Sequence, residues 1–148
     1  MSADIFIDTN VFIYQLEARD PHKSAVAERV IRDGIASGGA CISFQVVQEC
    51  LNTVLRKADI PLDVDGARRY LQTVLTPLFR VPASIALYER GLDIQLRYRY
   101  GFYDSLIIAA ALEAGCSRLY SEDLQHGQKI EGLIIEDPFK QLKSPVKP

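Results

Sequence analysis

The chain has 148 residues, of which 17 are Lys or Arg and 19 are Asp or Glu, giving a formal net charge of −2. Hydrophobic residues make up 48%, with only 9 Gly and 7 Pro, which excludes a disordered or collagen-like chain and predicts one globular domain. A chain of this size buries roughly 70% of its unfolded surface, so it needs no disulfide or metal staple. The acidic balance argues against holding duplex nucleic acid by bulk positive charge.

Cys41, Cys50 and Cys116 are odd in number, widely spaced and without CxxC or zinc-type spacing, so they read as free buried thiols in a reducing compartment. Met1-Ser2-Ala3-Asp4 lacks the basic start of a signal peptide. The longest apolar run, Leu106 to Leu112, falls far short of the ~20 residues a membrane span needs. The expectation is a cytoplasmic protein with no membrane attachment.

In chain order, Ile5-Phe6-Ile7 is a short β-favouring run that ends at Asp8. Asp8-Thr9-Asn10 is turn and cap chemistry, and Val11 to Tyr14 reads as a short helix. A second helix starts at Asp20-Pro21, with Ala27, Val30, Ile31 and Ile35 on one stripe, and stops at Gly38-Gly39. Ala40-Cys41-Ile42 is the next strand. Ser43 then caps a helix in which Val47, Cys50, Leu51, Val54 and Leu55 form the predicted core stripe.

Pro61 through Leu75 predicts a further helix, Phe79-Arg80-Val81 a third strand, and Ala83 to Tyr100 a long mixed helix broken by Gly101. Asp104 to Ala114 is apolar nearly all round and must be buried on most sides, with Gly115 as its stop. Arg118 to Ser121 and Leu133 to Glu136 are the fourth and fifth strands. Residues 1–140 read as a single domain and 141–148 as a flexible tail. Alternating strands and helices predict an α/β fold, a parallel sheet between two helical layers.

In such sheets, sites form beyond the carboxyl ends of the strands. Asp8 follows the first strand, Ser121-Glu122-Asp123 follows the fourth, Asp104 opens the apolar helix, and Glu49 lies one or two turns into the helix after the second strand. Four acids from distant parts of the chain can therefore converge. Converging carboxylates repel, and a hard divalent cation such as magnesium resolves the repulsion through oxygen ligands. Such a site suits metal-assisted phosphodiester hydrolysis. Serine or cysteine nucleophile chemistry has no support, because there is no GxSxG and His22 and His126 fall in a loop or at a helix start.

Each acid also has a plainer reading. Asp8 serves equally as a cap or Asx turn, Asp104 as an N-cap beside Ser105, and Asp123 as an ordinary loop acid. On a helical wheel Glu49 lies opposite the predicted stripe, on a polar face with Gln45, Gln48, Asn52 and Arg56.

The segments that carry these acids resemble a known family. Ile5-Phe6-Ile7-Asp8-Thr9-Asn10-Val11-Phe12-Ile13-Tyr14 resembles the opening motif of PIN domains. Phe102-Tyr103-Asp104-Ser105 with its alanine-rich continuation resembles their third-acid motif. Tyr120-Ser121-Glu122-Asp123-Leu124, with the later Asp137-Pro138-Phe139, is similar to the C-terminal motif of bacterial PIN toxins of the VapC type. The resemblance runs from about Asp4 to Phe139. It implies a three-layer α/β/α sandwich with a five-stranded parallel sheet, and a magnesium- or manganese-dependent endoribonuclease.

By the same resemblance, Asp8 and Asp104 ligate the metal, while Glu49 and Asp123 hold its waters or a second ion. Ser121 stands where the family commonly has threonine. Either Glu122 or Asp123 could face the metal, and the position after the strand favours Asp123. Thr9 or Asn10 orients Asp8. Arg97-Tyr98-Arg99-Tyr100 interleaves cations and aromatics in a way that suits RNA, although two inward tyrosines and two solvated arginines describe it as well. The resemblance further implies a homodimer and a small antitoxin protein as partner. A non-catalytic PIN-like binding module is the rival. A phosphotransfer domain of the haloacid type is disfavoured, because it needs Asp where this chain has Asn10.

Overall fold

The computed structural model describes residues 3–17, 19–57, 60 and 62–140. The order is β1 (Ile5–Ile7), α1 (Thr9–Leu16), α2 (Pro21–Ser37), β2 (Ala40–Ser43), α3 (Phe44–Arg56), α4 (Val64–Tyr70), a π-helical turn (Leu71–Leu75), α5 (Thr76–Leu78) and β3 (Phe79–Val81). Then follow α6 (Ile85–Tyr98), α7 (Phe102–Glu113), β4 (Arg118–Tyr120), β5 (Lys129–Ile130) and β6 (Leu133–Glu136).

The sheet order is β3-β2-β1-β4-β6-β5, and helices flank it. The five predicted strands are all present and mutually parallel. The sheet nevertheless has six strands, because the two-residue β5 adds an antiparallel edge to β6. At two residues, β5 is too short to show any alternation in the sequence. From β1 the chain first builds outward through β2 and β3, then returns to place β4 on the other side of β1. The β1/β4 pair is therefore the switch point of the sheet, where a crevice opens beyond the strand ends.

The centre of the sheet is buried, with Phe6, Ile7, Cys41, Ile42 and Leu119 all inaccessible to solvent. All three cysteines are buried and free. The core helix α7 ends on the glycine that the sequence marks. Gly115 takes φ +76°, its N–H bonds the Leu112 carbonyl at 3.0 Å, and the Cys116 N–H bonds the Ala111 carbonyl at 3.1 Å. This left-handed Schellman closure satisfies the last carbonyls of a helix that water cannot reach.

Four boundaries differ from expectation. α7 begins at Phe102 with Gly101 at its cap, so Asp104 sits in the first turn and is not the cap. The long helix α6 is shorter than expected: Ser84 caps it through the Leu87 N–H at 3.0 Å, and Arg99 ends it in a left-handed conformation. The helix expected over 61–75 starts at Val64, capped by Asp63, and widens into the π-turn ahead of Pro77, which has no N–H to return to the preceding turn. Pro61 itself, like the tail 141–148, lies outside the described residues.

The fourth difference is that α3 is rolled relative to its predicted stripe. It buries Gln45, Val46, Cys50 and Val54, while Leu55 is 52% exposed. Ser43 occupies the cap position of α3 but makes no cap hydrogen bond. Among the described residues, no helix is long and apolar enough to cross a membrane.

At Gly34 of α2, an added Cβ would lie 2.5 Å from the Ala40 Cβ in β2. Gly34→Ala is expected to lower stability by about 1–3 kcal/mol despite its better helix propensity. In a double-mutant cycle read by urea unfolding, Ala40→Gly should recover part of that loss. Additive losses would show that the contact is not the cause.

Candidate functional site

The site begins with the register of β1 on β4. Ile7 pairs with Tyr120, and the ladder continues one residue further through the Asp8 N–H to the Tyr120 carbonyl at 3.0 Å. Asp8 and Ser121 therefore leave adjacent strands side by side at the switch point. The Ser121 hydroxyl donates to Asp8 Oδ2 at 2.8 Å. Asp8 is also the cap of α1, its Oδ1 accepting the Thr9 N–H at 2.7 Å. The cap reading and the acid-site reading of Asp8 are thus compatible: one oxygen caps, and the other faces the cluster.

Asp8 is only 6% exposed. Burial pushes its carboxyl up to about 7, the hydrogen bonds from Ser121 and Thr9 oppose that rise, and the nearby charges of Glu49 and Asp123 add to it. Asp104 is also raised, first by desolvation and then by Asp123 and Glu49. Glu49 and Asp123 are thus close enough to act on both Asp8 and Asp104, the four acids lying on a strand end, two helices and one loop.

Neutral side chains hold the acids in place. Thr9 Oγ1 donates to Glu49 Oε1 at 2.6 Å. Asn10 Nδ2 reaches Asp123 Oδ2 at 3.2 Å, Ser121 Oγ at 3.3 Å and Asp8 Oδ2 at 3.4 Å, while its Oδ1 accepts the Glu122 N–H at 3.2 Å. Ser121 Oγ also accepts the Asp123 N–H at 3.2 Å. Gln45 Nε2 donates to both Glu49 Oε2 at 3.0 Å and the Tyr103 carbonyl at 3.1 Å, tying α3 to the start of α7 next to Asp104.

Glu122 and Asp123 differ in their partners. Glu122 accepts from the Tyr14 hydroxyl at 2.6 Å and is ion-paired with Lys23, so it turns toward α1 and α2. The Lys23 ammonium also lies 4.8 Å from the Tyr14 ring centroid, and Tyr14 packs edge-on to Phe139 at 4.9 Å. Asp123 turns toward Asn10. Arg97 does not join the cluster: it is exposed and its guanidinium faces Glu131 at 3.5 Å. Arg99, at the end of α6, is exposed as well.

Sequence reasoning missed two of these residues. Gln45 hides in a polar face that becomes buried because α3 is rolled. Lys23 lies on an ordinary amphipathic helix, and its only sequence signal is the surplus acid Glu122. Beside Glu49 and Asp123 lies an open cleft of about 490 Å³, whose walls also include Asn52 and Lys57 but neither Asp8 nor Asp104. Lys57 is paired with the buried Glu17 at 2.8 Å.

The donor set fits a hard divalent cation. It is all oxygen, and its buried carboxylate is destabilised in the charged form by burial and like charge, both of which a cation offsets. Among the described residues, no three Asp, Glu, His or Cys side chains form a ready cage.

Known structures share this fold. A toxin–antitoxin complex from Klebsiella pneumoniae aligns at TM-score 0.65 and 17% identity, covering 91% of this chain and 98% of its own. DNA-bound VapBC from Salmonella typhimurium aligns at 0.62 and 19%, covering 92% and 98%. VapC20 from Mycobacterium tuberculosis, a sarcin-ricin loop cleaving toxin, aligns at 0.59 and 23%, covering 81% and 90%. No curated protein matches the sequence. The PIN-domain family model matches residues 5–129, a span that takes in every acid of the cluster, and the chain therefore belongs to the PIN-domain family.

Proposed function

We propose that the chain is a metal-dependent endoribonuclease and the toxin of a toxin–antitoxin pair. The observation that carries this reading is a buried Asp8 at the β1/β4 switch point, raised by burial and by the charges of Glu49 and Asp123, which also raise Asp104. Family membership and structural relatives described as toxin–antitoxin complexes support it. The relative described as cleaving the sarcin-ricin loop supports RNA as substrate class.

In this proposal Asp8 and Asp104 hold a magnesium or manganese ion directly, and Glu49 and Asp123 hold its waters or a second ion. The bound ion supplies Lewis-acid activation of water and neutralises charge developing at phosphorus. The chain's own residues do the positioning. Ser121 and the Thr9 N–H fix the two oxygens of Asp8, Thr9 and Gln45 fix Glu49, and Asn10 fixes Asp123. The proposal includes a homodimer, a small antitoxin partner, and outlying RNA contacts from Arg97 and Arg99.

The deciding experiment is cleavage of a structured RNA pool with magnesium, with manganese and with chelator. Cutting is expected only with metal, and Asp104→Asn is expected to lower it by at least about 100-fold. A folded chain that binds RNA but never cuts it would favour the non-catalytic module.

Burial of Asp8 also sets a pH dependence. Below about 4 both folded and unfolded chains hold the proton. Between there and about 7 the folded chain keeps a proton that the unfolded chain has lost. Metal-free stability from this group therefore falls as pH rises through that window. In chelator, Asp8→Asn is expected to raise the melting temperature most above pH 7, with the gain shrinking toward pH 5; a gain independent of pH would contradict this origin.

Lys23 is expected to matter through Glu122. Lys23→Met leaves a poorly solvated carboxylate beside Asp123 and should lower both melting temperature and cleavage. Adding Glu122→Gln should restore most of both. If the double variant is as impaired as the single, Lys23 acts by some other contact.

A further inference from the structure

The cleft beside Glu49 and Asp123 is poorly suited to hold a polyanion. Its walls carry Glu17, Glu49, Glu122 and Asp123 against one cation, Lys57, which already faces Glu17. A second depression lies between α2, β4 and the end of β6. It has a volume of about 630 Å³, and Arg29, Arg118, His126 and Lys140 all line it, with Tyr120 among them. The four basic side chains are exposed. Two acids also line the groove: Glu136 faces Arg118 at 3.6 Å, and Asp137 Oδ1 accepts the Phe139 N–H at 2.8 Å, so three cations stand against two acids, whereas the cleft sets one cation against four. His126 Nδ1 accepts the Asp137 N–H at 3.0 Å, so the neutral ring carries its proton on Nε2 as a free donor direction.

Two elements contribute residues both to the groove and to the surroundings of the acids. On β4, Arg118 and Tyr120 line the groove, and the next residue, Ser121, bonds Asp8. On α2, Arg29, Val30 and Val26 line the groove, and Lys23, one turn before Val26, pairs with Glu122.

We infer that this groove is a binding track for the phosphate backbone of single-stranded RNA, separate from the catalytic cleft. Arg29, Arg118 and Lys140 supply the charge, His126 Nε2 a neutral donor, and Tyr120 an aromatic face. The inference rests on the ribonuclease reading and adds the site that holds its substrate. The division of labour follows from charge: the acids attract the cation, and the groove attracts the polyanion that the acids repel.

The test is anisotropy of a fluorescein-labelled single-stranded RNA of mixed sequence, in chelator so that nothing is cut, over a range of salt. The triple variant Arg29→Ala/Arg118→Ala/Lys140→Ala is compared with wild type and with Arg68→Ala/Arg69→Ala on exposed positions of α4. Each phosphate contact to a single strand contributes about 0.7 to the slope of log K against log salt. The triple variant is therefore expected to bind at least about tenfold more weakly, with the slope reduced by about 2. The α4 variant is expected to match wild type.

With magnesium, the triple variant should need more RNA for half-maximal cleavage while keeping its maximal rate. Wild type that cuts RNA alongside a triple variant with unchanged affinity and slope would overturn the groove and leave the nuclease reading standing, the groove then serving another polyanion. Wild type that neither binds nor cuts RNA would overturn both.

Discussion

A carboxylate buried at the end of a central strand, beside other carboxylates, is the constraint around which this molecule is organised. Asp8 cannot move away, because its backbone continues the β1–β4 ladder and its Oδ1 caps α1. It cannot easily ionise, because it is shielded from water and faces Glu49 and Asp123. Replacing it by an apolar residue would remove the repulsion but also the α1 cap and the Ser121 bond. The fold therefore keeps a group whose charged form it disfavours, at the place where a parallel sheet opens a crevice. Such local conflict between stability and arrangement is typical of functional sites.

Much of this was legible in the sequence. The five parallel strands are short apolar runs bounded by turn residues, and α7 is apolar almost all round, so burial had no alternative solution. Asp8, Asp104 and Asp123 announce themselves by following a strand or opening a buried helix. What was not legible depended on tertiary fit. The polar face of α3 looked solvated because periodicity counts Leu55 as core. In the fold the helix is rolled so that Leu55 is out and Gln45 is in, where it bridges Glu49 and Tyr103. Lys23 and Glu122 are 99 residues apart, and no local pattern predicts that they meet. β5 exists only as a partner for β6 and has no pattern of its own.

The roll of α3 also explains how acids on separate elements are kept in register. Glu49 and Asp104 lie on helices that approach the sheet edge independently. Gln45 is one turn before Glu49 on the same face, and a single amide nitrogen reaches both the Glu49 carboxylate and the carbonyl preceding Asp104. The spacing of two acids is thereby fixed by one buried side chain. Its own oxygen is left without a partner, a cost that a buried amide does not carry without some gain elsewhere.

The choice of donors follows the same logic. Among the described residues, the hydrogen bonds to Asp8, Glu49 and Asp123 come from hydroxyls, amides and backbone N–H groups, all neutral. Neutral donors orient a carboxylate without cancelling its charge, whereas a lysine or arginine in contact would neutralise it and remove the reason to bind a cation. Glu122 is treated in the opposite way. It is adjacent in sequence to Asp123, and it is drawn off by Tyr14 and discharged by Lys23. Two neighbouring acids of the same loop are thus separated by partner type, one held by neutral donors toward the cluster and one ion-paired against the helices.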